Sequence, residues 1–408
     1  MSRFRQEYMQ QPSETEQDWR YRLMLGKARK KIDMSWDEIG AMLGMGSGQY
    51  VRKLAYGIIR YVDYLKEKLD LGDEIDDDEA QALIDEINAI DQKVFQLKTE
   101  TVRMRDQRRE FNRVIREQAR SEHIKDQLHD SVLSLAKLKP IEFARRPAIK
   151  SKREAALLLS DWHKGLNALN HWNEINDTVF QERIKILTEK TIKYAKENNV
   201  SKLHCFLLGD LVHGLIHVTA RIAATEDSVT QTKAVAETLS YVLAEFAKEF
   251  NTVKVYCARG NHERMSANIK ESVASESFFD LIPWYLKARL NHIPNIQFVD
   301  NEYDEEIIVV DICGQKIFGA HGHRDHLKSV IQNLSLMLRM FPDYVFLGHY
   351  HKSMEDGVHS AEVIVNPSLS GVDEYAKEKR LTGKPAQKLI IFDQDEGRLC
   401  TYNIKLAS

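Results

Sequence analysis

Five short polar runs, each placed at the end of an apolar stretch, constrain this 408-residue chain more than any other feature. They are Asp161-Trp162-His163, Gly209-Asp210-Leu211-Val212-His213, Gly260-Asn261-His262-Glu263, His321-Gly322-His323 and Gly348-His349-Tyr350-His351. The preceding stretches are residues 155–160 (AALLLS), 203–209 (LHCFLLG), 252–258 (TVKVYCA), 315–320 (QKIFGA) and 344–348 (YVFLG). Runs this short and apolar read as buried strands of a parallel or mixed sheet, each delivering a functional loop at its end. Together the five loops supply enough oxygen and nitrogen donors for two metal ions. Imidazole and carboxylate donors without a thiolate suit manganese, iron or zinc and disfavour soft-metal and structural zinc sites. Two such ions about 3.5–4 Å apart clamp a phosphoryl group and activate a water. A carboxylate shared between them places the strand before Asp210 near the centre of its sheet.

The order and spacing of these blocks resemble the calcineurin-like metallophosphoesterase superfamily over roughly residues 154–408. The resemblance implies an α/β fold, a four-layer β-sandwich flanked by helices, with two metals at the strand ends. It further implies that Asp161, His163 and His351 hold one ion, that Asp210 bridges, and that Asn261, His321 and His349 complete the second site. His262 would protonate the leaving oxygen, oriented by Glu263. The implied cofactor is a pair of divalent cations, with Mn2+ favoured and Mg2+, Fe2+ or Zn2+ as alternatives. His323 and His326 adjoin the site without a ligand slot, and His323 is a candidate substrate contact. His171, His204 and His217 read as ordinary packed or surface histidines.

Two details bear on the substrate. Arg259 before Gly260 is similar to the arginine with which serine/threonine phosphatases grip phosphate, so it is a candidate substrate-binding residue. Those enzymes carry Asp-Arg-Gly after the bridging aspartate, however, where this chain has Val212-His213-Gly214. Gly-Asp-Leu-Val-His instead resembles the SbcD-like DNA nucleases, and His213 becomes a candidate second active-site histidine. Residues 263–300 read as helices overhanging the site, where Trp284 and Tyr285 either stack on bases or pack. Asn366-Pro367-Ser368 resembles the family's Asn-Pro-Gly turn, with Ser368 in place of glycine.

The N-terminal third is all helical by pattern. Ser35 followed by Glu38 is a capping box, and Ile39, Met42 and Leu43 share an apolar face. After Gly44, Gly46 and Gly48, a second helix turns Tyr50, Val51 and Leu54 inward. This resembles a helix-turn-helix, with Gln49, Arg52, Lys53 and Tyr56 as candidate DNA contacts; a small bundle for protein contacts is the alternative. From Leu83 to Ile115 a 4–3 spacing (Leu83, Ile87, Ile90, Val94, Leu97, Thr101, Met104, Arg108, Phe111, Ile115) marks a heptad seam on a long helix. That helix forms a homodimeric coiled coil, pairs with a helix over 121–138, or lies across the catalytic domain. The expected divisions are 1–70, a DNA-binding helix-turn-helix; 71–140, a helical arm; 141–153, a linker; and 154–408, the metallophosphoesterase domain.

A net charge of −3 conceals an uneven distribution: residues 71–100 carry 2 basic against 10 acidic side chains, and residues 101–153 carry 15 against 7. The basic stretch is a footprint for a phosphate polymer, or else it neutralises the acidic one within a hairpin or between chains. Four scattered cysteines, no apolar run near the ~20 residues that span a bilayer and no signal-peptide core predict a cytoplasmic protein. The expected activity is a metal-dependent DNA nuclease or phosphodiesterase guided to DNA, the kind of protein a phage encodes. A small-molecule phosphoesterase, a protein phosphatase and a DNA-binding regulator with a silent enzyme fold are the alternatives.

Overall fold

A computed structural model describes residues 6–70, 77–135, 137–214, 216, 226–266, 276–373, 376–377, 380 and 382–407. His217 therefore lies outside the described residues. The chain divides into two compact units, Met1–Arg116 and Glu117–Ser408.

The first unit contains α1 (Glu16–Ala28), α2 (Trp36–Met42), α3 (Gly48–Asp70) and the first part of α4 (Asp77–Leu135). Capping boxes start α1 at Thr15 and α2 at Ser35, where the Ser35 hydroxyl accepts the Glu38 N–H at 3.1 Å and Glu38 accepts the Ser35 N–H at 2.7 Å. The turn into α3 needs left-handed backbone at Gly44 (φ 64°) and Gly46 (φ 82°), which glycine adopts without a steric penalty. Leu23, Met24, Met34, Ile39, Leu43, Val51 and Ala55 form the core of this unit. Val51 turns inward as its spacing predicts, but Tyr50 does not. The buried partner on α3 is Ala55, four residues after Val51, while Tyr50 faces outward and its ring meets Lys98. Gln49, Arg52, Lys53 and Tyr56 are all exposed on α3. Helix α4 runs without a break to Leu135, so no separate 121–138 helix exists for the seam to fold back upon.

In the second unit, the segment after α4 is tied down rather than loose. Ile141 is buried, Asn251 accepts the Ile149 N–H, and Arg146 pairs with Glu249. Two sheets follow. The larger is built from β1 (Arg153–Leu159), β4 (Lys202–Leu207), β5 (Thr252–Cys257), β6 (Ile296–Phe298), β12 (Ala386–Asp393) and β13 (Gly397–Lys405), in the order β13-β12-β1-β4-β5-β6. The smaller comprises β7 (Ile308–Ile312), β8 (Gln315–Ala320), β9 (Tyr344–Leu347), β10 (Met354–Val358) and β11 (Ala361–Val365), in the order β10-β11-β9-β8-β7. A short hairpin, β2 (Ala168–Leu169) with β3 (Glu174–Ile175), follows the first functional loop.

Strand alternation divides the core into layers. Ala156 and Leu158 of β1, with Phe206, Tyr256, Phe346 and Ile364, fill the space between the sheets. Ala155, Leu157 and Leu159 face the other way, toward α5 (Asp177–Glu197), α6 (Ser228–Glu249) and α7 (Leu281–Arg289). On the outer face of the small sheet, α8 (Val330–Leu338) covers Phe318, Val345 and Val363. The result is the four-layer α/β sandwich that the family resemblance implies. Among the described residues no helix is long and apolar enough to cross a membrane.

Register then places the functional loops. Leu159 pairs with Leu207 and Leu207 with Cys257, so the loops after β1, β4 and β5 leave the large sheet side by side. Ala320 pairs with Leu347, which brings the loops after β8 and β9 together on the small sheet. The strand before Asp210 lies in the interior of its sheet. Residues 263–300 differ from expectation: β6 extends the sheet, and the Tyr285 hydroxyl of α7 donates to Glu237 of α6, so this helix packs against the sandwich flank.

Candidate metal centre and active site

At the joined strand ends the backbone itself is unusual. Asp161, His163, Asp210, His349 and His351 all have φ between 46° and 63°, a region that non-glycine residues rarely occupy. Left-handed residues cluster at functional sites when the surroundings enforce them, and here the loops enforce one another. The Asp161 N–H donates to the Gly209 carbonyl and the His163 N–H to the Asp210 carbonyl, both at 3.1 Å. The backbones also approach closely: a Cβ on Gly260 would lie 2.2 Å from Asp210 Oδ1.

Side chains converge inside this frame in three groups, each with its donor atoms within 4.8 Å of one another. Asp161, His163 and His351 form one, Asp210, His321 and His349 a second, and His163, His213 and His262 a third. Asn261 adjoins the second, its Oδ1 lying 3.2 Å from His321 Nε2. Asp210 stands between, with Oδ2 at 3.0 Å from His321 Nε2 and 3.8 Å from His262 Nε2, while Oδ1 accepts the His262 N–H at 2.8 Å.

The electrostatics of the bare site are those of a receptor for cations. His163 Nε2 faces His351 Nε2 at 3.0 Å, and the buried His163 Nδ1 has no hydrogen-bond partner. Burial, followed by the neighbouring His262 and His351, drives the His163 imidazole well below its ordinary value, so it offers lone pairs. His349 is pushed down to about 4, by burial and then by His321. Burial alone would also lower His321, but the Asp210 carboxylate outweighs it and raises the ring to about 10. Burial would raise Asp210, yet the imidazoles around it, His321 foremost, hold it well below the usual carboxylate range. Buried carboxylates and imidazoles converging on shared points fit two divalent cations. A cation would replace the proton that Asp210 and His321 share.

Further residues orient these donors. His321 Nδ1 donates to the Leu208 carbonyl at 2.7 Å, which turns Nε2 toward Asp210. Asp161 Oδ2 accepts from the Ser160 hydroxyl at 2.6 Å, and Ser160 accepts from Asn366 Nδ2 at 2.8 Å. The turn containing Ser368 thereby acquires a place: the Ser368 hydroxyl donates to the Asp161 carbonyl at 3.0 Å. Gln387, fully buried, accepts the Ser160 N–H and the Trp162 indole N–H. Arg183 donates to the carbonyls of Leu369 and Ser370 and holds the same turn.

Two roles expected from sequence are reassigned. The partner of the His262 ring is the His213 carbonyl, which accepts from Nδ1 at 2.8 Å; because a carbonyl only accepts, Nδ1 carries the hydrogen. Glu263, expected to orient His262, is fully buried and accepts the Leu211 N–H at 2.6 Å, so it braces the Asp210 loop. Burial and the Asp210 charge push its carboxyl up to about 8. Arg259, expected to grip phosphate, instead spans the Asp280 carboxylate with two hydrogen bonds of 2.8 Å and also pairs with Glu305. His323 lies beside His321 with ring centroids 5.5 Å apart, on a cavity of about 590 Å3 shared with Glu306 and Asn333. His326 is exposed. His204 is buried far from the site, between Glu154 and Tyr256.

This geometry agrees with the family match. Residues 156–353 match the family of calcineurin-like phosphoesterases, and the chain carries a calcineurin-like phosphoesterase domain. That places it among metal-dependent hydrolases of phosphoesters. The SPbeta prophage-derived protein YonJ of Bacillus subtilis (strain 168) is 22% identical over 400 residues, covering 95% of each chain. Among solved structures, an archaeal phosphodiesterase is 17% identical, covering 61% of this chain and 99% of its own, with a TM-score of 0.30. Vacuolar protein sorting 29 from Cryptosporidium parvum is 13% identical over 59% of this chain and 86% of its own, with a TM-score of 0.29.

The Asn366–Ser160–Asp161 relay is open to direct test. Asn366→Ala leaves every metal-facing side chain in place, and we expect it to weaken metal affinity about 10–100-fold. Competition against a chelator measures this; unchanged affinity in a folded variant would remove the relay from the metal centre.

Proposed function

We propose that the enzyme is a phosphodiesterase acting on DNA, with the sandwich as the nuclease and the N-terminal helices as its DNA-binding element. The observation that carries this reading is His213. Its ring shares a group with His163 and His262, and its carbonyl fixes the His262 tautomer. A diester keeps substituents on both sides of phosphorus, and a second imidazole at the reacting centre suits that demand. Arg259 bears on the same choice, because a guanidinium taken up by Asp280 and Glu305 is poorly placed to clasp a dianionic monoester.

In this reading Asp161, His163 and His351 hold one divalent cation, Asn261, His321 and His349 the other, and Asp210 joins them. When bound, the pair polarises the phosphoryl group and activates the attacking water. His262 acts as the imidazolium: with Nδ1–H held by the His213 carbonyl it presents Nε2–H to the leaving oxygen, gives it that proton and is left as the neutral Nδ1–H tautomer. Glu263 fixes the loop that carries Asp210. His323 is assigned to contact a substituent of the ester, supported by its position beside His321 on the adjoining cavity. Manganese is the expected cation, as suits mixed oxygen and imidazole donors.

For DNA binding, the support is the exposure of Gln49, Arg52, Lys53 and Tyr56 on the first half of α3, the part of a recognition helix that meets base edges. The prophage origin of the full-length relative fits a DNA-directed enzyme in a phage-infected cytoplasm.

Hydrolysis of DNA and bis-aryl diesters should far exceed that of aryl monophosphates and phosphopeptides, and His213→Ser should harm DNA cleavage more than small-diester hydrolysis. Initial rates across that panel with manganese check both statements. Efficient monoester turnover with inert DNA would overturn the nuclease reading.

Charge reversal of Arg52 and Lys53 to Glu should weaken DNA binding and flatten its salt dependence, by about one unit of slope for each phosphate no longer neutralised. Small-diester hydrolysis should stay as it is. Undiminished DNA affinity in this variant would make α3 a module for binding something else.

A further inference from the structure

Helix α4 presents an apolar stripe that nothing among the described residues covers. Ile90, Val94, Leu97, Met104, Phe111 and Ile115 are between 40% and 70% exposed, on a helix that continues unbroken on both sides. With Thr101 and Arg108 they occupy alternating a and d positions of a heptad, a at Val94, Thr101, Arg108 and Ile115 and d at Ile90, Leu97, Met104 and Phe111. The flanking e and g positions are Asp91, Lys93, Lys98, Glu100, Arg105, Gln107, Asn112 and Val114, polar in all but one case. The a and d stripe is the width of one further helix, with Phe95 and Val102 exposed beside it at b positions.

We infer that the occupant is the same helix of a second copy, running antiparallel. A parallel pair in register would stack Arg108 on Arg108 inside the seam, placing two like charges in one dry layer. It would also set the acidic half of the helix, with 7 acidic and 2 basic side chains over residues 77–102, against itself. The basic half, with 8 basic and 5 acidic over 103–128, would likewise meet its own kind.

Reversing one copy removes both conflicts. Ile90 then opposes Ile115, Val94 opposes Phe111, Thr101 opposes Met104, and Leu97 opposes Arg108, so every seam residue from Ile90 to Ile115 has a partner within it. The Arg108 stem lies on Leu97 and its guanidinium reaches the rim. Each acidic half lies along a basic half. The flanking pairs taken alone favour parallel packing, which sets Lys93 against Lys98 but Glu100 against Arg105, whereas antiparallel packing sets Lys98 against Arg105. The buried arginine layer and the charge of the two halves outweigh that one pair. The paired seam is about 39 Å long at 1.5 Å per residue.

The full-length protein tests this. Sedimentation at micromolar concentration should give twice the 47.2 kDa of one chain. Leu97→Glu with Phe111→Glu should return it to one chain with small-diester hydrolysis unchanged. Orientation is read by mild oxidation against the unsubstituted protein: Val94→Cys with Phe111→Cys should give a covalent dimer, and Val94→Cys alone should not. A single-chain mass for the unsubstituted protein would overturn the proposal. So would a mass that survives the glutamate substitutions, or a covalent dimer of Val94→Cys alone, which would make the pair parallel.

Discussion

A carboxylate buried among imidazoles is the interaction on which the catalytic unit depends. Asp210 is 1% exposed, and a bare charge at that depth would be prohibitive without partners. The His262 N–H and the His321 ring are those partners, and each comes from a different strand end. Holding Asp210 there requires its own left-handed backbone, a glycine at 260 where a Cβ would collide with it, and the aligned ends of β1, β4 and β5. The sandwich is in this sense a frame for one oxygen pair. Cations at the site would replace the proton shared with His321 and spread the charge further, so metal binding and folding reinforce each other.

Much of this frame was legible before any coordinates. Buried strands announce themselves as apolar runs with donors at their ends, while the layers and the grouping of the histidines followed from the family resemblance that those runs carry. Roles that depend on which atom a side chain reaches did not. Glu263 lies next to His262 in sequence, but adjacent residues on a turn point different ways, and its carboxylate serves the Asp210 loop. The residue that orients His262 acts through its backbone carbonyl, which carries no sequence signal. Arg259 shows the same limit, since its acidic partners Asp280 and Glu305 lie 21 and 46 residues away. Gln387 did leave a trace, as a polar residue inside the apolar run of β12, and only the fold shows that it reaches Ser160. On α3 Val51 and Leu54 turn toward the core as expected, and only Tyr50, at the edge of that face, was misplaced, with Ala55 in the core instead.

The two units answer different physical demands. The second is bound by its layers, and little in it can move without disturbing the donors at the strand ends. Among the described residues the first has a core of seven buried apolar side chains, and most of the described side chains of α3 and α4 face solvent. Small cores are marginal alone, and a helix of 59 residues with an apolar stripe does not gain its stability from propensity. The recognition and association proposed for this unit would leave the catalytic frame free of those tasks.

The central claim is that one buried carboxylate organises two metal sites. Elemental analysis of purified protein reports on it directly, comparing the unsubstituted chain with Asp210→Ala after removal of free metal. We expect two divalent cations per chain in the first case, and one or none in the second with loss of hydrolysis on every phosphoester. Two tightly held cations in Asp210→Ala would contradict the account.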